Sequence, residues 1–154
     1  MKNGIINKAD INKLVTTLKK GGKKIVFTNG VFDIIHRGHV EYLAKAKSFG
    51  DVLIVGLNSD ASVRRIKGPK RPIQKQNDRA VILCALKPVD FVVFFGEDTP
   101  EKIIRLVNPD VLVKGADYKI DEIVGAEFVK ANGGVVKRVK LTRGRSSSNI
   151  IKKL

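Results

Sequence analysis

Apolar residues in this chain gather in five short runs, Ile25–Thr28, Val52–Leu57, Phe91–Phe95, Val111–Val113 and Val135–Val139. The first four are nearly continuous and rich in β-branched residues, which predicts strands buried on both faces. The fifth alternates more and reads as an edge strand. Helical patterns fill the gaps at Gly38–Phe49, Asn77–Leu86, Pro100–Val107 and Glu122–Ala131. Asp98-Thr99-Pro100-Glu101 predicts a helix start, with a capping hydroxyl and Pro at the first helical position. Gly50 and Gly133-Gly134 predict helix stops. A lysine-rich helix is expected over Asn7–Lys20, ended by Gly21-Gly22, and a short one within Ser146–Leu154. Strands alternating with helices imply a Rossmann-like α/β fold, a doubly wound parallel sheet of about five strands. One domain is expected over residues 1–154, with 1–22 as an N-terminal helical extension.

At 154 residues the chain can enclose one sizeable core. Thirty basic residues against 15 acidic ones leave a net charge of +15. That balance raises the case for nucleic acid. The aromatics lower it again, because the chain has no Trp and two Tyr, and no basic segment is interleaved with aromatics. A solvated basic surface and attraction of small polyanions are the readings that remain. The single cysteine, Cys84, sits in the apolar stretch VILCAL and reads as a buried small side chain. No apolar run approaches the roughly 20 residues that span a bilayer. The start, MKNGIINKADINKL, has no apolar signal core. The expected location is the cytoplasm, with no membrane and no nucleic-acid partner.

Ligands in doubly wound sheets bind beyond the carboxyl ends of the strands, where the strand order reverses. Polar clusters follow three of the predicted strands, at Asn29–His39, Asn58-Ser59-Asp60 and Lys114–Tyr118. The first carries the chain's two histidines, His36 and His39, separated by Arg37 and Gly38. A spacing of three puts both imidazoles on neighbouring helical positions. Gly38 leaves room for a phosphate near the backbone. Strand, turn and helix N-terminus together suit a nucleotide's phosphates. No cysteine lies nearby, which argues against zinc. Gly30 permits a tight turn, and Asp33 reads equally as a turn-stabilising carboxylate or a contact to a metal–phosphate group. Residues 64–72 hold five basic side chains in nine and read as a mobile loop that closes over phosphates. Lys114-Gly115-Ala116-Asp117-Tyr118 is either a ligand contact or a salt-bridged turn. Arg143-Gly144-Arg145 precedes three serines that open the last helix, a candidate anion site.

Together these motifs resemble the HxGH nucleotidyltransferase superfamily over about residues 23 to 154. Within it, the chain is most similar to the bacterial heptose 1-phosphate adenylyltransferases. The similar blocks are FTNGVFDIIHRGHVEYL, GLNSDASVRRIKGPKRP, DRAVILCALKPVDFVV, FGEDTP, PDVLVKGADY, VGAEFV and GRSSSNII. The resemblance implies transfer of AMP from ATP to D-glycero-D-manno-heptose 1-phosphate, giving ADP-heptose and pyrophosphate. It implies Mg²⁺, a homodimer, and a heptose kinase supplied by a separate protein. His36, His39 and Lys67 are the implied catalytic residues. Thr28, Asn29, Gly30, Phe32, Asp33, Gly38, Arg71, Lys114, Gly115, Asp117, Arg145, Ser146, Ser147 and Ser148 are the implied nucleotide contacts, and Asp33 is the one side chain considered for metal. Related cytidylyltransferases carry Gly-x-Ser-Thr-Thr near the C-terminus. Here Gly144-Arg145-Ser146-Ser147-Ser148 keeps the hydroxyls, and Leu141 stands where those enzymes have an arginine. Another small nucleotidyltransferase, such as glycerol-3-phosphate cytidylyltransferase, pantetheine-phosphate adenylyltransferase or FAD synthetase, is the alternative. A basic nucleic-acid-binding module is the remote one.

Overall fold

The computed structural model describes residues 4–141 and 146–154. The apolar runs become strands β2 (Ile25–Gly30), β3 (Val52–Asn58), β4 (Phe91–Phe95), β5 (Val111–Gly115) and β6 (Val135–Val139). A further strand, β1 (Gly4–Ile6), pairs in parallel with β4 and brings the sheet to six. Three residues are too few to show periodicity. What makes them a strand is the open edge of β4, whose neighbour Asp90 accepts a hydrogen bond from Gly4. The strand order is β1-β4-β3-β2-β5-β6, all pairs parallel. The reversal point therefore lies between β2 and β5, where Val26 pairs with both Leu53 and Val111.

All seven residues of β3 are buried, as continuous apolar runs require when helices cover both faces. One face carries α1 (Ile11–Lys20), α5 (Glu101–Val107) and α6 (Ala126–Ala131), around Phe27, Ile54 and Leu112. The other carries α2 (Arg37–Lys47) and α4 (Gln76–Ala85), around Val26, Leu53, Val55 and Val113. Fully burying a side chain such as Phe27 or Leu53 contributes about 1.5–3 kcal/mol. Helix α1 presents Ile11, Leu14, Val15 and Leu18 to the sheet, a stripe at the helical period. The N-terminal segment is thus a strand, a 3₁₀ turn at Lys8–Asp10 and a helix, rather than helix from Asn7.

Helix boundaries follow local chemistry. After α2 the chain turns at Gly50, where any Cβ would lie 2.7 Å from Val26 and 2.8 Å from the Lys24 carbonyl. The helix expected from Glu122 begins only at Ala126, because Gly125 takes φ +85° and breaks the run. Pro100 itself is the N-cap of α5, and the hydroxyl of Thr99 does not cap it. The basic stretch differs more. Residues Asp60–Lys67 form a helix, α3, and Arg65 donates to Asp98 at 2.9 Å and to the Gly96 carbonyl. Only residues from Gly68 to Lys75 leave regular structure.

Candidate functional site

At the carboxyl ends of the strands on both sides of the reversal point lies a cavity of about 530 Å³. Strand β2 ends at Asn29 and Gly30, and the chain turns through Val31–Ile35 into α2. Phe32 takes φ +47°, a left-handed conformation rare for a bulky residue. Its ring folds back over Gly30, where a Cβ would meet it at 2.8 Å. The same ring tilts against His39, with centroids 5.1 Å apart.

His36 and His39 build the start of α2. His36 is the N-cap, and its Nδ1 accepts from the Gly38 N–H at 3.1 Å. His39 Nδ1 accepts from the His36 N–H at 3.3 Å. This is a capping box made of two imidazoles. With each Nδ1 accepting, the neutral rings carry their protons on Nε2. The rings stack at 3.9 Å. Burial, and after it the neighbouring His36, pull the His39 pKa down to about 4. Near neutral pH His39 is therefore an uncharged N–H donor.

Around this pair stand Lys67 at the end of α3, Arg71, and Lys114, Gly115 and Asp117 at the end of β5. Lys114 Nζ donates to Asn29 Oδ1 at 3.2 Å and lies 5.1 Å from the Tyr118 ring centre. Burial holds its ammonium below the usual range, against the pull of Asp117. Helix α7 (Ser147–Lys152) closes the cavity from the C-terminus. Ser146 caps it by accepting from Asn149, and Ser147 Oγ donates to the Ile34 carbonyl at 2.9 Å. Two of the three hydroxyls therefore have structural partners while still lining the cavity.

The expected nucleotide contacts Asn29, Gly30, Phe32, Asp33, Gly38, Arg71, Lys114, Gly115, Asp117 and Ser146–Ser148 all border this one cavity, with His36, His39 and Lys67. Thr28 does not. It is fully buried, donates to the Val113 carbonyl at 2.9 Å and bonds the Tyr42 hydroxyl at 2.8 Å, so it belongs to the core between β2 and β5. Burial pushes that Tyr42 hydroxyl up to about 12. Arg145 lies outside the described residues, as do Arg143 and Gly144.

Asp33 is buried, and its two oxygens accept from Arg71 Nε and from the backbone N–H groups of Ile73 and Gln74. Burial alone would raise its pKa. The N–H donors and Arg71 more than offset that and hold the carboxyl below its usual range. The turn-stabilising role considered for Asp33 fits this geometry, and metal ligation does not. Among the described residues no group of three or more His, Cys, Asp or Glu converges as a metal site.

Sequence reasoning passed over Arg79. It is fully buried and donates to the carbonyls of Val31, Asn58 and Gln74 and to Asp60 Oδ1, all between 2.7 and 3.0 Å. It thus ties together the turns after β2 and β3. The available signal was a charged residue inside the stripe Arg79, Ala80, Leu83 that α4 buries. The cavity's other walls include Tyr42, Phe95, Asp98, Ile123 and Leu141.

Comparison with known proteins places this geometry. The cytidylyltransferase-like family model matches residues 27–153. The bifunctional protein HldE of Wolinella succinogenes is 54% identical over 150 residues, 97% of this chain and 31% of that protein. The bifunctional protein HldE of Helicobacter pylori is 52% identical over 94% of this chain and 30% of its own length. The chain thus spans about a third of the length of these curated relatives. A crystal structure of the lipopolysaccharide core biosynthesis protein from Thermoplasma volcanium aligns with TM-score 0.64 and 35% identity, over 80% of this chain and all of that one. A Francisella tularensis pantoate-beta-alanine ligase, solved with beta-gamma ATP and beta-alanine, aligns with TM-score 0.70 over 99% of this chain and 73% of its own. At 18% identity that likeness is one of fold alone. No helix of the described residues is long and apolar enough to cross a membrane. A parallel six-stranded sheet, an HxGH turn at its reversal point and a match over residues 27–153 converge: this chain belongs to the cytidylyltransferase-like family of nucleotidyltransferases.

Proposed function

We propose that this chain is the adenylyltransferase that joins AMP from ATP to D-glycero-D-manno-heptose 1-phosphate, in the cytoplasm, for surface glycan synthesis. The observation that carries this reading is the paired imidazole cap. Both histidines accept backbone N–H groups at Nδ1, and both line a cavity shared with Lys67, Arg71 and Lys114. Identity of 52–54% to bifunctional HldE proteins across nearly the whole chain supports the heptose substrate.

In this reading the acceptor is a sugar phosphate oxygen, anionic near neutral pH, which needs no general base. It attacks the α-phosphorus of ATP, the bond from that phosphorus to the β-phosphate oxygen breaks, and pyrophosphate leaves with the electron pair. The difficulty is bringing an anion to a polyanion, so the protein's task is charge and alignment. His36 and His39 donate from Nε2 to the triphosphate. His39, uncharged near neutral pH, adds no cation–cation repulsion within a stack 3.9 Å apart. Lys67 and Arg71 supply formal positive charge, and Lys114 adds it on the β5 side. Ser146–Ser148 close the site over the leaving phosphates.

Incubation with ATP, magnesium chloride and heptose 1-phosphate, each anomer separately, tests the reading. Pyrophosphate release with an ADP-heptose product, selective for ATP over CTP, is expected. Release only with CTP and glycerol 3-phosphate, with FMN or with phosphopantetheine would reassign the substrate within the same family. Absence of any affinity for ATP or CTP would remove nucleotidyl transfer itself.

A further inference from the structure

The segment from Arg71 to Gln74 has no helix or strand to satisfy its backbone, yet it delivers Arg71 to the cavity. Asp33 replaces the missing ladder. One carboxylate oxygen accepts from the N–H groups of Ile73 at 3.0 Å and Gln74 at 2.9 Å. The other accepts from Ile73 at 2.9 Å and from Arg71 Nε at 2.8 Å. The Asp33 side chain is wholly buried, and that of Arg71 is 14% exposed. Arg79 holds the far end of the segment through the Gln74 carbonyl at 3.0 Å.

The guanidinium of Arg71 is planar and rigid, so a partner fixed on its Nε edge sets the direction of the whole fork. A buried carboxylate already saturated by backbone donors has no freedom to follow that fork. Arg71 is therefore oriented by Asp33, and not the reverse. We infer that Asp33 is a positioning residue for nucleotidyl transfer, acting by aiming Arg71 at the polyphosphate. This rests on the function proposed above, since it names Arg71 as a contact to the nucleotide. It also assigns Asp33 a role other than metal ligation.

A double-mutant cycle on ATP affinity tests it, measured by calorimetry on the full chain with magnesium chloride and without acceptor. Arg71→Ala is expected to weaken ATP binding about 10- to 100-fold, the loss of a charge-assisted contact. Asp33→Asn, which puts a donor against donors, is expected to weaken it nearly as much. The double variant should be no worse than Arg71→Ala, because Asp33 acts through Arg71. Millimolar guanidinium should restore part of the affinity of Arg71→Ala and none of that of the double variant. Multiplying effects, or guanidinium rescue of both, overturn the inference while leaving nucleotide binding intact. Failure of the unmodified protein to bind ATP overturns the functional reading and this inference with it. If Asp33→Asn does not fold, Arg71→Lys decides. One ammonium cannot both pair with Asp33 and face the ligand, so a loss close to that of Arg71→Ala is expected, and wild-type affinity overturns the orienting role.

Discussion

The histidine cap of α2 and the segment 71–79 both shape the same cavity, but they are held in opposite ways. The His36–His39 cap is itself held by neighbours, although the turn that leads to it is tied to Arg79 through Val31 and to Ser147 through Ile34. His36 and His39 cap one helix start, through bonds spanning two and three residues. The segment 71–79 is held by distant partners. Asp33, which grips it, lies 38 to 41 positions away, and Arg79 reaches Val31 across 48. A local device can be cut with little effect on the sheet. A long-range one carries several rim turns with it, so its loss is felt in stability as well as chemistry.

The comparison breaks most sharply at Arg79. Arg79→Ala removes a buried charge and leaves Asp60 and three carbonyls without their donor. A loss of about 3–5 kcal/mol in unfolding free energy is expected, with a fall in Tm of roughly 10 °C. Denaturant unfolding measures it, and a change under 1 kcal/mol would make the network ornamental.

Next in size are two changes at His39 that separate its nitrogens. His39→Asn keeps an acceptor near the Nδ1 position and loses the Nε2–H. Turnover should fall about 10²–10³-fold with little change in Tm. His39→Gln keeps reach toward the Nε2 position and loses the cap, so it should retain more turnover while losing about 1 kcal/mol of stability. Equal turnover in the two variants would contradict the division of labour between the nitrogens.

The pH response sharpens the local side further. The His39 pKa is about 4 in the folded chain against 6.5 for the free side chain. Below pH 6.5 the unfolded state takes up the proton first, so this group's stability is fully present above 6.5 and lost as pH falls toward 4. Unfolding titrations of wild type and His39→Asn, similar near neutral pH, should diverge over that window, with wild type losing stability faster as pH falls. Parallel curves would refute the depressed pKa.

The smallest effect is expected at Thr28. Thr28→Val removes hydrogen bonds to Val113 and Tyr42 inside the core and should cost about 1 kcal/mol, with the KM for ATP unchanged. A large rise in KM would return Thr28 to the nucleotide site.

The comparison also explains what could be read early. The parallel sheet was legible because burial on both faces writes itself into continuous runs such as Val52–Leu57. The histidine pair was legible because capping and helix spacing act over a few residues. Strand β1 was not, because three residues carry no period and gain their strand character from the β4 edge. Arg64 and Arg65 read as loop because charge runs resemble loops, whereas the cap at Ser59 continues α3 through Lys67.

The order of residues alone determined the layering of strands and helices, the rim on which polar turns collect and the pairing of His36 with His39. These depend on periodicity and on contacts within one helical turn, which a linear pattern encodes. Tertiary structure alone decided that Thr28 is core, that Asp33 grips the Arg71 segment, and that Arg79 joins the turns at Val31 and Asn58. Those outcomes depend on which buried donors meet which acceptors once distant segments pack. That matching is imposed by the cost of leaving a buried polar group without a partner.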